Sequence, residues 1–367
     1  MAEPQGQVLM LSGRFSTRGR TTQSLMLAEG LIDRGYEVRV VCPGSSCISP
    51  DRRRRIRFYD RSSLEWPLVA PLVWRTVRRD LEGQPPDLIH AQHRSVLPLA
   101  RWLAASWRVP IVLSVHDYLA PGEALAPDPV WLAGVIAVSD SVRRELLDRT
   151  RLSPDAVHVV HGGVRIPPPE DAAGVLDPRH VPVVGTAGPL EAVKGLRFFL
   201  SAAAIVLQEM PRTQFLVAGA GPEERKLRKQ ARDLHLGESV TFVSSFPDFS
   251  ASLEAMDIYV LPSLKQGLGT IMLEAMARGL PVVATRTGGV DTAVSDGVTG
   301  MLVPPSDSAA LAARTVELLR DPLRARSIGQ QARELASREF RVDRMVEETE
   351  QVYRRVLETW RAPSPCR

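Results

Sequence analysis

The chain has 367 residues, of which 44% are hydrophobic and 24% charged, with a net charge of +4. That length accommodates two full hydrophobic cores, and the composition is that of an ordinary folded protein rather than a disordered one. No apolar run approaches the ~20 residues that span a bilayer, the three cysteines fit neither a disulfide framework nor a zinc spacing, and aromatics at 5% with no stacking or groove-reading motif argue against a nucleic-acid binder. The polar N-terminal lead runs straight into a strand, so no secretory signal is expected and the reduced cytoplasm is the expected location.

The first half alternates short apolar runs with helical patterns. A strand at residues 7–12 leads into a loop holding Gly13, Arg14, Arg18, Gly19 and Arg20, followed by a helix over residues 21–34 that Gly35 ends. A valine-rich strand follows at 37–42, and residues 51–61 then concentrate arginine, including Arg52 to Arg55 in succession. A helix at 71–82 places Val73, Trp74, Val77 and Leu81 on one side and Arg75, Arg78 and Arg79 on the other. Such a helix beside an arginine run suits either a core-facing helix with a solvated basic face or a surface that rests on anionic lipid. Further strands at 87–91, 111–115 and 135–138, a helix at 139–147 and a strand at 157–160 complete the half. Apolar runs this short between helices indicate a parallel sheet covered on both faces. From 166 to 182 periodicity is lost in a proline-rich stretch that reads as an interdomain linker.

The second half restarts at 183–187, and strands at 215–218, 240–243, 258–261 and 282–284 follow, each with a helix behind it. Gly219-Ala-Gly221 lacks a third glycine and a following acid, and reads as a helix start rather than a dinucleotide fingerprint. The most informative segment is Pro262-Ser-Leu-Lys-Gln266-Gly267-Leu268-Gly269-Thr270-Ile-Met-Leu-Glu274-Ala-Met276. A strand ends at proline, two glycines leave a loop without bulk, and a helix opens at Thr270. The exposed N–H groups and dipole of such a helix start favour a phosphate. Glu274, one turn further on the same face, would repel that phosphate and suits ribose hydroxyls instead. The final helix, 342–361, is apolar at Val346, Val352 and Val356.

This segment resembles the signature of the retaining nucleotide-sugar glycosyltransferases of GT-B fold, the group 1, glycogen-synthase-like enzymes. Their pattern runs Pro-Ser, two residues, Glu-Gly-Phe-Gly, four residues, Glu-Ala-Met-Ala. Gly267, Gly269, Glu274, Ala275, Met276 and Ala277 match, Leu268 stands for the aromatic, Gln266 replaces the first Glu, and the seven-residue gap is kept. Gly188-Pro-Leu-Glu-Ala-Val-Lys194-Gly195 resembles the family's Gly-Arg-Leu, three residues, Lys-Gly, with Pro189 in place of the arginine. Residues 287–290 resemble its Gly-Gly-Ile-Pro-Glu loop, with Thr292 at the acid. His116-Asp117 ends a strand as the family's His-Asp does. His93 is the better cleft candidate of His90 and His93.

The resemblance implies an α/β protein of GT-B fold, two Rossmann-like parallel-sheet domains facing a central cleft. Its parts are an acceptor-side domain at 1–165, a linker at 166–182, a nucleotide-sugar domain at 183–341, and a helix at 342–367 crossing back to the first. It implies retaining transfer of a sugar from a nucleotide-diphospho-sugar to an acceptor hydroxyl, in cell-envelope glycan or glycolipid synthesis. Lys194 would hold the diphosphate, Gly267, Leu268, Gly269 and Thr270 the phosphate and sugar end, and Glu274 the ribose. Val243 and Phe246 would lie at the nucleobase, Gly13 in the loop over the donor, and His116 and Gln266 against the transferred sugar. No cofactor or metal is expected, since no aspartate pair of the metal-binding type occurs in these loops. Front-face attack with the leaving phosphate as base is the implied mechanism. Partners are the donor, a glycan or lipid-linked acceptor and an anionic membrane surface at the inner face. A sugar-nucleotide epimerase of the same architecture and a non-catalytic sugar-nucleotide binder stay open beside it.

Overall fold

The computed structural model describes residues 5–13, 15, 20–65, 70–120, 122–123, 125, 128, 130–168, 174–244 and 249–362. It divides into two compact units, Met1–Gly162 together with Val342–Arg367, and Gly163–Arg341. In the first, strands β1 (Gln7–Leu11), β2 (Glu37–Cys42), β3 (Arg57–Asp60), β4 (Leu88–Ala91), β5 (Ile111–Val115), β6 (Leu132–Ala137) and β7 (Val157–Val159) alternate with helices α1 (Arg20–Asp33), α2 (Pro50–Arg55), α3 (Ala70–Asp80), α4 (Leu97–Trp107) and α5 (Asp140–Arg149). In the second, β8 (Val183–Ala187), β9 (Gln214–Ala218), β10 (Val240–Val243), β11 (Ile258–Leu261), β12 (Val282–Thr285) and β13 (Met301–Val303) alternate with α6 (Leu196–Glu209), α7 (Glu224–Asp233), α8 (Ser250–Glu254), α9 (Thr270–Ala277), α10 (Ser308–Arg320) and α11 (Pro322–Glu339). The last helix, α12 (Val342–Thr359), belongs to the first unit.

Both sheets are parallel, ordered β3-β2-β1-β4-β5-β6-β7 and β10-β9-β8-β11-β12-β13. The expected pair of Rossmann-like parallel sheets is therefore present. Parallel strands are buried on both faces, which is why β4, β5, β11 and β12 carry no exposed residue. In each sheet the order reverses once, between β1 and β4 and between β8 and β11. At such a switch point the following loops diverge to opposite faces and leave room for a ligand at the strands' carboxyl ends.

The position of α12 accounts for residues far away in sequence. Gly30 lies inside α1, where glycine costs about 1 kcal/mol against alanine. A Cβ there would meet Val346 Cγ2 at 2.4 Å, so the missing side chain is what lets α12 approach. Arg34 binds Glu350 at 2.9 Å and Tyr36 donates its hydroxyl to the same carboxylate at 3.1 Å. Burial pushes the Glu350 carboxyl up, but the bonds from Arg34 and Tyr36 and the charge of Arg354 outweigh it and hold the group below the usual range. Deeper in, His90 of β4 bridges Tyr353 of α12 (2.5 Å) and Ser114 of β5 (2.8 Å). Burial, with a smaller push from His116, lowers the His90 imidazole to about 3. It is a neutral core histidine.

The arginine run is a set of pairs rather than an open patch. Arg52 binds Glu29, Arg53 Asp60, Arg54 Asp51 and Arg55 Asp33. In α3, Val73 and Val77 are buried and Trp74 packs on Trp102 of α4 at 6.1 Å, while Arg75, Arg78 and Arg79 are exposed. No described helix is long and apolar enough to cross a membrane. In the second unit, buried Asp257 accepts the amides of Leu176 (2.6 Å) and Val183 (2.8 Å) and the His180 imidazole (2.9 Å), so the stretch before β8 is fastened to this unit.

Candidate functional site

The loops after β8, β11 and β12 emerge side by side, because those strands are neighbours in the sheet. The first contains the single 3₁₀ turn Ala192–Lys194 and ends at Gly195 in the left-handed region, φ +65°. Any Cβ on Gly195 would sit 2.0 Å from the Pro262 carbonyl oxygen, so this turn rests directly on the loop that follows β11. Leu264 donates its amide to the Val193 carbonyl at 2.8 Å and locks the two together. Lys194, half-buried, then extends to Gln266, its Nζ 2.9 Å from Oε1.

Gln266 is the hub of this cluster. It is buried, its Oε1 also accepts the Ser263 hydroxyl at 3.2 Å, and its backbone carbonyl accepts the Gly289 amide at 3.0 Å from the loop after β12. The Ser263 carbonyl in turn accepts the Thr285 and Thr287 hydroxyls. Three loops are thus sewn to one another by polar contacts at the carboxyl edge of the sheet. Gly269, at φ +91°, turns the chain into α9 and offers the helix start no side-chain cap. That leaves first-turn amides and the positive end of the helix dipole beside the Lys194–Gln266 pair, an arrangement that attracts an anion. Gly267 and Leu268 are buried and Thr270 half-buried.

Glu274 follows Thr270 by one turn and is half-buried. Its charge reaches Tyr259 of β11, whose phenol is raised by burial first and by Glu274 second. Tyr259 donates to the Ala187 carbonyl at the end of β8 at 3.2 Å. Glu274 thus lies within electrostatic reach of a phenol held at the end of β8, one helical turn past the start of α9. Val243 ends β10, the sheet's edge strand two places from β8, and its carbonyl accepts the Gly219 amide at 2.8 Å. Phe246, with Arg14 and Arg18, lies outside the described residues.

Gly13 and His116 belong to the first unit, where they follow β1 and β5. A Cβ on Gly13 would meet nothing within 4 Å among the described residues. His116 lines a pocket with Gln23, Gln92, Ser114, His161 and Thr349. Gln92, which sequence reading passed over, is buried; its oxygen accepts the Ser24 hydroxyl at 3.0 Å, and its nitrogen has no hydrogen-bond partner among the described residues. His93 caps the 3₁₀ turn Arg94–Val96 by accepting from the Ser95 amide. Ser263, Thr285 and Thr287 were equally invisible as contributors: only their position at or just past strand ends hinted at loop-fastening hydroxyls. Among the described residues, no group of three or more His, Cys, Asp or Glu side chains could hold a metal ion.

Residues 18–166 match the family described as Glycosyltransferase Family 4, and residues 181–321 that described as Glycosyl transferases group 1. The phosphatidyl-myo-inositol mannosyltransferase of Mycobacterium leprae is 32% identical over 328 residues, covering 84% of this chain and 86% of that one. The D-inositol 3-phosphate glycosyltransferase of Acidothermus cellulolyticus is 32% identical over 272 residues, 65% of this chain and 61% of its own. In fold, the chain superposes on Anabaena HepE, crystallised with UDP and glucose, with TM-score 0.81 at 22% identity, over 96% of this chain and 100% of that one. Sucrose-phosphate synthase of Thermosynechococcus elongatus gives 0.80 at 21% identity over the same shares. With one relative matched across most of both lengths and both units matched separately, the chain belongs to the group 1 glycosyltransferases of GT-B fold.

Proposed function

We propose that this glycosyltransferase takes its sugar from a nucleotide-diphospho-sugar and delivers it, with retention, to a hydroxyl of an envelope glycolipid or glycan precursor. The observation that carries the reading is the contact of Lys194 with Gln266 just before the uncapped start of α9, the helix that carries Glu274 one turn further on. Lys194 and the α9 amides neutralise the diphosphate, and Glu274 accepts the ribose hydroxyls. His116 and the Gln266 amide nitrogen serve the transferred sugar, Gly13 the loop over the donor, and Val243 with Phe246 the base. The bond between the anomeric carbon and the diphosphate oxygen breaks as the acceptor oxygen bonds the same face of that carbon. The departing phosphate oxygen takes the acceptor's proton. Charge on that leaving group is greatest in the transition state, where a preorganised cation and helix start contribute most.

Similarity to two relatives, a phosphatidyl-myo-inositol mannosyltransferase and a D-inositol 3-phosphate glycosyltransferase, supports an inositol-type acceptor. The reading includes reversible contact with an anionic membrane through exposed Arg75, Arg78 and Arg79. The Arg52–Arg55 run is engaged in pairs and contributes less. The test incubates the protein with GDP-mannose, UDP-glucose or UDP-N-acetylglucosamine and either inositol phosphate or phosphatidylinositol vesicles. NMR of the product's anomeric proton reads both transfer and configuration. An α-linked product from an α-linked donor is expected. A β-linked product refutes retention, and free modified sugar without acceptor refutes transfer.

A further inference from the structure

A polar chain runs from the buried side of α12 to the carboxyl ends of β4 and β5 and finishes at a pocket of the first unit. The β4–β5 register sets His90 beside Val112 and Ala91 beside Leu113; continued by one residue, it sets Gln92 beside Ser114 on the same face of the sheet. Tyr353, 1% exposed, meets His90 Nδ1 at 2.5 Å, and His90 Nε2 meets the Ser114 hydroxyl at 2.8 Å. Ser114 and Gln92 line the pocket that also holds His116, whereas Tyr353 is not among its walls.

A neutral imidazole has one hydrogen and one lone pair, so this chain of bonds runs in a single direction. With the hydrogen on Nδ1, the Tyr353 oxygen would accept it, and the phenol's own hydrogen would be sealed in the core with no acceptor among the described residues. A buried donor left unmade is the costlier arrangement. With the hydrogen on Nε2, Tyr353 donates to Nδ1 and His90 donates to Ser114 Oγ. The Ser114 hydrogen is then turned away from His90, and the one donor left over lies at the pocket. Gln92 adds another: its Oε1 accepts the Ser24 hydroxyl, while its Nε2 has no hydrogen-bond partner among the described residues. Around this pair the walls are largely apolar, with Leu27, Ile136, Val138, Val160 and Met345, and no Lys, Arg, Asp or Glu lines them among the described residues. Such surroundings penalise an ion and suit a neutral hydroxyl, whose two lone pairs accept from both donors.

We infer that Ser114 and Gln92 form a donor pair that binds a hydroxyl oxygen of a polyol substrate, with His90 and Tyr353 as positioning residues that aim the Ser114 hydrogen into the pocket. A hydroxyl whose hydrogen is already directed gives up less freedom when its partner arrives. Buried donors that an analogue lacking the oxygen would leave unpaired also make the pair selective. The polyol is the transferred sugar or the acceptor; the two share this chemistry, and the test separates them. The inference rests on the glycosyltransferase reading above and names two residues that would contact one of its substrates.

The test has a spectroscopic and a binding arm, both on the full chain. Long-range proton–nitrogen correlation on protein labelled with ¹⁵N-histidine, the His90 signals assigned by their loss in His90→Gln, is expected to show the proton on Nε2; a proton on Nδ1 overturns the positioning role. The second arm compares wild type, Ser114→Ala, Ser114→Thr and Gln92→Met. It reads calorimetric affinity for UDP, GDP, UDP-glucose and GDP-mannose, and KM for inositol phosphate and phosphatidylinositol vesicles. Ser114→Ala is expected to leave UDP and GDP binding unchanged and to weaken one polyol substrate about fivefold. A weaker nucleotide-sugar identifies the transferred sugar, and a raised acceptor KM identifies the acceptor. Ser114→Thr, which keeps the hydroxyl, is expected to recover most of the loss. Gln92→Met is expected to act on the same substrate, and it carries the test if melting curves show Ser114→Ala unfolded. Constants all equal to wild type in folded variants, or equal losses for UDP and UDP-glucose, would overturn the donor pair while leaving the glycosyltransferase reading in place. If wild type binds no nucleotide-sugar and transfers no sugar, the underlying reading falls and this inference with it.

Discussion

Replacing Gly195 by alanine perturbs the Lys194 cluster without touching any side chain proposed to meet a ligand. The residue sits at φ +65°, where an L side chain costs about 1–2 kcal/mol. The new methyl would lie 2.0 Å from the Pro262 carbonyl oxygen, a contact against backbone that no rotamer relieves. Ordinary packing needs more than 3 Å, so the turn must lift by roughly 1 Å. That displacement is enough to break the 2.8 Å bond from Leu264 to Val193, worth about 1 kcal/mol. The combined loss is about 2–4 kcal/mol, or a fall in melting temperature of roughly 5–12 °C for a domain of this size. Lys194 immediately precedes the lifted residue, so UDP or GDP affinity falls together with stability, by about tenfold if one charged bond is lost. Scanning calorimetry and titration on the same preparation check both. A variant with unchanged melting and unchanged affinity would mean that the two loops are not docked, and the site's construction as described would be wrong.

Glu274→Gln removes the charge assigned to the ribose and is expected to weaken nucleotide diphosphate binding by about 1.5–3 kcal/mol; unchanged affinity in titration calorimetry removes Glu274 from the site. Acidification tests the buried imidazole: because folding lowers His90 from the ordinary 6.5 to about 3, the unfolded chain binds the extra proton between those values. Its contribution is therefore intact above pH 6.5 and lost on going down, by up to about 1.4 kcal/mol per pH unit. Urea midpoints measured from pH 7.5 to 4.5 are expected to fall less steeply in His90→Gln than in wild type, and equal slopes would contradict a neutral core histidine.

Much of the fold was legible because parallel strands must be apolar on both faces. Val8 to Leu11, Ile111 to Val115 and Ile258 to Leu261 announce themselves as short apolar runs between helical patterns. The edge strand β3 did not, because Arg57-Phe-Tyr-Asp60 is half polar, and its neighbourhood reads as a basic patch until each arginine's acid partner is seen. The glycines of the β11–α9 segment read as a candidate phosphate turn and Glu274 as a candidate ribose acceptor from sequence alone, since their chemistry is local to fifteen residues. The Lys194–Gln266 bond was not, for it joins residues 72 apart whose meeting depends on strand order. The same holds for His90, whose partner Tyr353 lies 263 residues away, and for Gly30, whose missing side chain is explained only by Val346. Sequence reading set His93 above His90 as a cleft residue; the structure makes one a turn cap and the other a core bridge.

The central claim is that the Lys194 cluster holds a nucleotide diphosphate. Titration of the intact protein with UDP and GDP, repeated on Lys194→Met, tests it most directly. One of the two diphosphates is expected to bind to wild type, and about tenfold or more weakly to the variant, since a charged hydrogen bond is worth roughly 1.5–3 kcal/mol. Binding of neither nucleotide, or binding of equal strength to the folded variant, would contradict the account.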